Sequence, residues 1–147
     1  MRPGAVLLGV LMALVGLAGC GPAPPPPRQS DPDAEAQLLQ HHRALCQEIL
    51  QTREQLVAIL AGVKDRLSMA SALAKVVKLD KTVSDLRRQA LLRAPPPAMQ
   101  QRLQDEFGAQ LVDLEQRRER EAVRIRALPD GPNFFQAIEQ LAKETTP

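Results

Sequence analysis

Aromatic residues are nearly absent from this sequence: it has no tryptophan, no tyrosine and only three phenylalanines among 147 residues. Any core must therefore be built from aliphatic side chains. The sequence also has no run of alternating apolar and polar residues rich in Val, Ile or Thr, which would predict strands. It lacks a glycine-rich phosphate loop, a Gly-x-Ser-x-Gly elbow and a His-Glu-x-x-His motif. We therefore expect an all-α protein that is not an enzyme.

A strong excess of one charge is missing as well. The formal net charge is +2, and Arg2 is the only charged side chain before Cys20. The chain from Cys20 onward carries 18 basic and 17 acidic side chains. Nucleic-acid binding usually needs a basic excess, and single strands also stack on aromatic rings. The sequence therefore predicts no nucleic-acid partner and indicates no small-molecule substrate.

The first nineteen residues have the layout of a secretory signal peptide. Arg2 provides a positive start, residues 5–17 are apolar, and a step of small residues follows. A membrane-spanning helix needs about 20 apolar residues, so this run is short for one. We assign residues 1–19 to a signal peptide that is removed.

The end of this segment, Leu17-Ala18-Gly19-Cys20, resembles the lipobox of bacterial lipoproteins. The resemblance implies cleavage between Gly19 and Cys20, diacylation of the Cys20 thiol and usually a third acyl chain on the new amino terminus. Acyl chains anchor a protein by about 0.8 kcal/mol for each buried CH₂ group, and two chains hold it stably. The only attached group expected is therefore lipid on Cys20. Gly21, in place of Asp, favours the outer membrane, facing the periplasm.

Residues 20–32 form a predicted linker. Five of the eight residues from Gly21 to Arg28 are proline. Such a segment favours an extended polyproline II conformation of about 3.1 Å per residue, which gives a stalk of roughly 40 Å.

Residues 33–147 are expected to form a helical domain, because Gln, Glu, Arg, Leu and Ala dominate it. Asp31-Pro32-Asp33 is typical of a helix start, and Pro95 to Pro97 would end one helix and open the next. Ser68 or Ser71 could cap the second helix, and Asn133 with Gln136 the fourth. The predicted helices are Asp33 to Arg66, Met69 to Arg93, Pro96 or Pro97 to Leu128, and Asn133 to Lys143.

Apolar residues recur at helical spacing in each segment. In the first helix the stripe is interrupted by His42 and Thr52, and in the third Arg118 stands where the next apolar residue is expected. The pattern predicts an antiparallel three-helix bundle, or a long helical hairpin, with a short fourth C-terminal helix. The first stripe comprises Leu45, Ile49, Leu56, Ile59 and Val63, with Cys46, Leu60 and Leu67 alongside; the third comprises Leu103, Phe107, Leu111, Leu114, Ala122 and Ile125.

The segment from Leu56 to Leu79 is similar to one that recurs in small exported helical proteins of planctomycete-type bacteria. The shared features are Val63-Lys64-Asp65, Ser71-Ala72, the proline turn and Pro132-Asn133. The resemblance covers about Leu38 to Leu141. It implies a helical fold and no particular activity.

Cys46 and His42 are the remaining candidates for chemistry. If Cys20 carries lipid, Cys46 has no partner within the chain, which leaves a buried thiol, which we favour, then an intermolecular disulfide and last a catalytic thiol. His42 lies four residues before Cys46 and shares a helix face with it, but a metal site would need further ligands such as Glu35. We favour an exposed His41, a His42 at the edge of the stripe, and no metal.

A dense run of charge follows in the third helix, with Arg117, Arg118, Arg120, Arg124 and Arg126 among glutamates. Local ion pairs account for such spacing better than a binding patch does. We expect an interaction protein in the bacterial envelope that contacts itself or another envelope protein through its helix faces. The alternative is a periplasmic lipoprotein that is chaperone-like or binds an envelope polymer.

Overall fold

Four helices make up most of residues 32–144, the part of the chain that the computed structural model describes. This part contains no strand, so the expected all-α fold with a short fourth helix is confirmed. The predictions about Gly19, Cys20, Asp31 and the proline-rich segment lie outside the described residues. The helices are α1 Pro32–Ala61, α2 Arg66–Leu92, α3 Pro97–Arg126 and α4 Gly131–Glu144.

The turn between α1 and α2 comes earlier than the sequence predicted. α1 ends at Ala61 rather than Arg66, and α2 begins at Arg66 rather than Met69. The reason is a capping box at Asp65: its Oδ1 accepts a hydrogen bond from the Ser68 backbone N–H at 2.8 Å, and the Asp65 N–H donates to Ser68 Oγ at 2.9 Å. The expectation that Ser68 or Ser71 would be the cap is therefore wrong.

The turn between α3 and α4 also comes earlier than the sequence predicted. α3 starts at Pro97 as predicted but ends at Arg126, and α4 begins at Gly131 rather than Asn133. The Phe134 N–H donates to the Asp130 carbonyl at 3.0 Å, so Asn133 lies inside the first turn and does not cap the helix with Gln136. Gly131 is required here, because a Cβ atom on it would clash with the Ile125 carbonyl oxygen.

α1 is the central helix of the bundle. α2 runs antiparallel to it and α3 parallel to it, and both pack against it along their length. α4 packs against α2 and α3. Within the described residues, no Cα of α2 lies within 8 Å of a Cα of α3. The two outer helices therefore flank α1 without packing closely on each other.

Two groups of buried side chains form the core. The first, which we call the closed end, draws on all four helices and contains the two most deeply buried large side chains, Ile125 and Val63. The second lies between α1 and α3. The closed end comprises Leu56, Leu60, Val63, Met69, Ala72, Val76, Ile125 and Phe134, and the α1–α3 core comprises Leu50, Val57, Met99, Leu103, Phe107 and Leu114.

Most predicted stripe positions are buried or half-buried. The clear exception is Leu67, whose exposed fraction is 82%. It was placed on the stripe of the first helix, but α1 has already ended, and Leu67 instead lies in the first turn of α2. Among residues 32–144, no helix combines the length and the apolar character that crossing a membrane requires.

Candidate functional site

A cleft of about 200 Å³ lies where α2 and α3 flank α1. This volume corresponds to roughly six or seven water molecules at about 30 Å³ each. Its walls carry three arginines and one aspartate; Arg53, Asp80 and Arg118 are half-buried, whereas Arg87 is exposed. We call it the arginine cleft; it is lined by Arg53 and Leu56 of α1, Asp80, Val83, Ser84 and Arg87 of α2, and Arg118 of α3.

Arg53 is well buried in the cleft, since only 11% of its side chain is exposed. Its Nη1 lies 3.1 Å from Oε2 of Glu115 on α3. Arg118 approaches the other oxygen of the same carboxylate, with 3.4 Å between Nη2 and Oε1. Burial lowers the pKa of Arg53, and the neighbouring charge of Arg87 lowers it further. One carboxylate thus serves two guanidinium groups.

Asp80 faces these groups from α2. Burial raises the pKa of Asp80 above its ordinary value, although Arg118 and Arg53 act in the opposite direction. Within the described residues, no ion pair of 4.0 Å or less involves its carboxylate. The arrangement is suited to holding a polar or charged group by hydrogen bonds. It presents no histidine or thiol for proton or group transfer.

The sequence pointed to Leu56 as a stripe residue and to one charged member of this cleft, Arg118, as an interruption of the apolar pattern. Arg53 and Asp80 were missed. A heptad pattern within α1 contained a signal for Arg53, because Arg53 lies midway between Cys46 and Leu60 at steps of seven residues. The same steps around Asp80 run from Leu73 to Arg87 and contain no such signal. A charge at a position that is otherwise apolar marks a polar site inside a bundle.

The metal hypothesis for His42 and Cys46 gains no further ligands from the fold. Residues 32–144 bring together no group of three or more His, Cys, Asp or Glu side chains that could hold a metal. His42 was expected at the edge of the apolar stripe. Instead its exposed fraction is only 3%, so it lies within the buried face of α1. Its Nε2–H donates to the Arg93 carbonyl at 2.7 Å, which ties α1 to the end of α2. His41 is exposed, as predicted.

Cys46 is half-buried on the side of α1 that packs against α3. Burial raises the pKa of the Cys46 thiol, and the negative charge of Glu106 raises it further. The thiol is therefore protonated at neutral pH and reacts slowly with a disulfide. The intermolecular disulfide through Cys46 stays a prediction.

No family model, curated protein or solved structure matches the chain. The resemblances to bacterial lipoproteins and to planctomycete-type exported proteins therefore stay predictions. What the chain does must be argued from its own residues.

The run of arginines in α3 is largely occupied by contacts within the protein. Four of its members have acidic partners on the same helix: Arg117 with Asp113, Arg118 with Glu115, Arg124 with Glu121 and Arg126 with Glu119, at 3.9, 3.4, 2.7 and 3.6 Å. Arg126 also lies 4.8 Å from the centre of the Phe135 ring.

Arg124 has a structural role that the sequence did not reveal. Its Nη1 donates to the Val63 carbonyl at 2.7 Å, and its Nη2 donates to the Leu60 carbonyl at 2.9 Å. These carbonyls lie at and just beyond the last turn of α1, where backbone acceptors lack helical partners and a positive charge is favourable. α1 has no basic residue of its own in its last turn, so α3 provides one.

Proposed function

We propose that the chain is a lipid-anchored lipoprotein of the bacterial cell envelope that works as a structural or interaction protein. The observation that carries this proposal is Leu17-Ala18-Gly19-Cys20 at the end of an apolar run, with a proline-rich segment directly behind it. The compact helical unit that begins at Pro32 is in keeping with it, because a domain on an extended linker would be held away from the lipid headgroups. Its contacts with partners are made by the outer faces of the helices, without catalysis.

The described surface supports the interaction role better than a chaperone-like role. A chaperone surface needs a continuous apolar patch for unfolded clients. In residues 32–144 the exposed large apolar side chains lie at separate places: Leu67 at the start of α2, Leu91 and Leu92 together at its end, and Val112 and Val123 on α3. Binding to an anionic polymer is also less favoured, since most arginines of α3 have acidic partners.

Replacing the proposed lipid-bearing residue tests the anchor. In a bacterial host that processes lipoproteins, Cys20→Ser should abolish incorporation of labelled fatty acid and leave the precursor uncut. Cys46→Ser is the matched control, because it also removes one of the two thiols but should keep both labelling and cleavage. Normal processing of Cys20→Ser, or a wild-type chain that takes up no fatty acid, would contradict the proposal.

Cross-linking in intact cells tests the interaction role. A photoreactive residue at Val123, which is 58% exposed on α3, should give a discrete adduct with a second copy or with another envelope protein. The same residue in the Cys20→Ser chain should give much less of it, because the anchor sets the location. An adduct pattern that is diffuse, or that is unchanged in the Cys20→Ser chain, would argue against a located interaction protein.

A further inference from the structure

The arginine cleft holds more positive than negative charge. Counting Glu115 with the lining residues, three guanidinium groups face two carboxylates. Both Glu115 oxygens are already engaged, Oε2 by Arg53 and Oε1 by Arg118. Glu115 balances one guanidinium charge and Asp80 balances a second. The third guanidinium charge in the cleft has no carboxylate to balance it.

Arg87 is the arginine on which this excess rests. It lines the cleft from α2, and its side chain makes no ion pair of 4.0 Å or less with any residue in the range 32–144. Asp80 lines the same cleft from the same helix, but no ion pair of 4.0 Å or less joins it to Arg87. Burial raises the pKa of Asp80, although the charges of Arg118, Arg53 and Arg87 act in the opposite direction. Arg87 and the outer part of Arg118, whose side chain is 39% exposed, are therefore open to an external acceptor.

We propose that the arginine cleft binds a carboxylate group, which either an acidic peptide segment of a partner or a small free acid can supply. Guanidinium groups bind carboxylates with two parallel N–H···O hydrogen bonds, and one carboxylate brings the single negative charge that balances the cleft. A phosphate dianion would bring a second negative charge next to Asp80 and Glu115. The space of about 200 Å³ is sufficient for the end of an acidic side chain. This inference does not depend on the lipid anchor.

Calorimetric titration of the full-length chain in non-ionic detergent at low salt tests this binding. The probe is a blocked peptide with one glutamate between glycine and serine residues, compared with its glutamine counterpart, with sodium acetate and with inorganic phosphate. We expect the glutamate peptide to bind and the glutamine peptide not to. Acetate that binds as tightly as the peptide would identify the free acid as the sufficient ligand. No binding of either carboxylate, or tighter binding of phosphate, would overturn the proposal.

Two neighbouring arginines provide a matched pair of variants. Arg87→Gln should weaken the binding of the glutamate peptide at least tenfold, because a hydrogen bond to a charged group contributes about 1.5–3 kcal/mol. Arg88→Gln makes the same charge change at the next position, where the side chain is 75% exposed, outside the cleft and paired with Asp85 at 4.0 Å. It should leave the affinity unchanged. An equal loss in both variants would mean general surface attraction and would overturn the proposal.

Replacing Asp80, the acidic lining residue of the cleft, should change the affinity for the glutamate peptide in the opposite direction. Asp80→Asn removes a like charge beside the bound carboxylate, so it should strengthen binding several-fold, whereas Asp85→Asn on the same helix should have no effect. A cleft that only stabilises the fold would show neither the gain in Asp80→Asn nor the loss in Arg87→Gln. Weaker binding in Asp80→Asn, with the chain still folded by circular dichroism, would contradict the assigned geometry.

Discussion

The closed end and the arginine cleft adjoin each other, and Leu56 belongs to both, yet they are built in opposite ways. At the closed end α4 completes a core with the other three helices, and Ile125 has no exposed surface. At the cleft α2 and α3 flank α1, and three arginines and one aspartate line the space. One end of this bundle is therefore a closed apolar core that stabilises the fold, whereas the cleft keeps an excess of positive charge accessible to solvent.

Truncating the core should produce the largest effects and should differ between the regions. Large-to-small core substitutions of this kind cost about 2–5 kcal/mol, and the cost rises with the cavity that is left. Ile125→Ala should lie near the top of this range because four helices surround the site. Leu103→Ala, in the α1–α3 core, should lie near the bottom because the residue is 8% exposed and has fewer helices around it. Urea unfolding of both variants measures the loss in the free energy of unfolding. Equal losses would mean that the closed end and the α1–α3 core contribute alike to stability.

The next effect concerns the arginine that binds the end of α1. Arg124→Met keeps a long apolar stem but loses the hydrogen bonds to the Val63 and Leu60 carbonyls. Because the side chain is 40% exposed, water can replace part of these bonds, so we expect a loss of about 1 kcal/mol in the free energy of unfolding. Arg120→Met is the control: it lies on the same helix, is exposed and has no recorded partner among the described residues, and it should change stability by less than about 0.5 kcal/mol. Equal effects would show that the Arg124 bonds contribute nothing.

The smallest effects are pH-dependent and have opposite signs for two aspartates. Backbone hydrogen bonding from Ser68 lowers the pKa of exposed Asp65, so its stabilisation is present above its ordinary pKa and is lost as the pH falls through the folded value. Burial raises the pKa of Asp80, so its charged form costs stability as the pH rises through the folded value. Asp65→Ala should therefore destabilise the protein at pH 7 and less at pH 3. Asp80→Asn should be neutral or stabilising at pH 7, with the difference closing at low pH. Thermal unfolding of both variants and the wild-type chain at pH 7 and pH 3 measures these changes in stability. If both substitutions destabilised the protein at pH 7, the predicted difference between Asp65 and Asp80 would be wrong.

The sequence predicted the number and order of the helices because their apolar stripes and proline boundaries are local signals. It misplaced the α1–α2 turn because Asp65 and Ser68 cap α2 reciprocally, which competes with the weaker single-serine cap. Gly131 was overlooked because its requirement comes from contact with the Ile125 carbonyl, a tertiary feature.

The cleft was less accessible to sequence reasoning. Arg118 interrupts an apolar stripe and Arg53 interrupts a heptad pattern, but Asp80 and Arg87 resemble ordinary polar positions until α1, α2 and α3 are assembled. Their shared environment depends on which faces of three helices meet. No periodicity within one helix contains that information.

The most direct test of the account is a nuclear magnetic resonance titration that follows the arginine side-chain Nε–Hε signals while the glutamate peptide is added. We expect the signals of Arg53, Arg87 and Arg118 to shift together and saturate, and the signal of Arg88 to stay in place. Equal drift of all four signals, or no shift at saturating peptide, would contradict the claim that the arginine cleft binds a carboxylate.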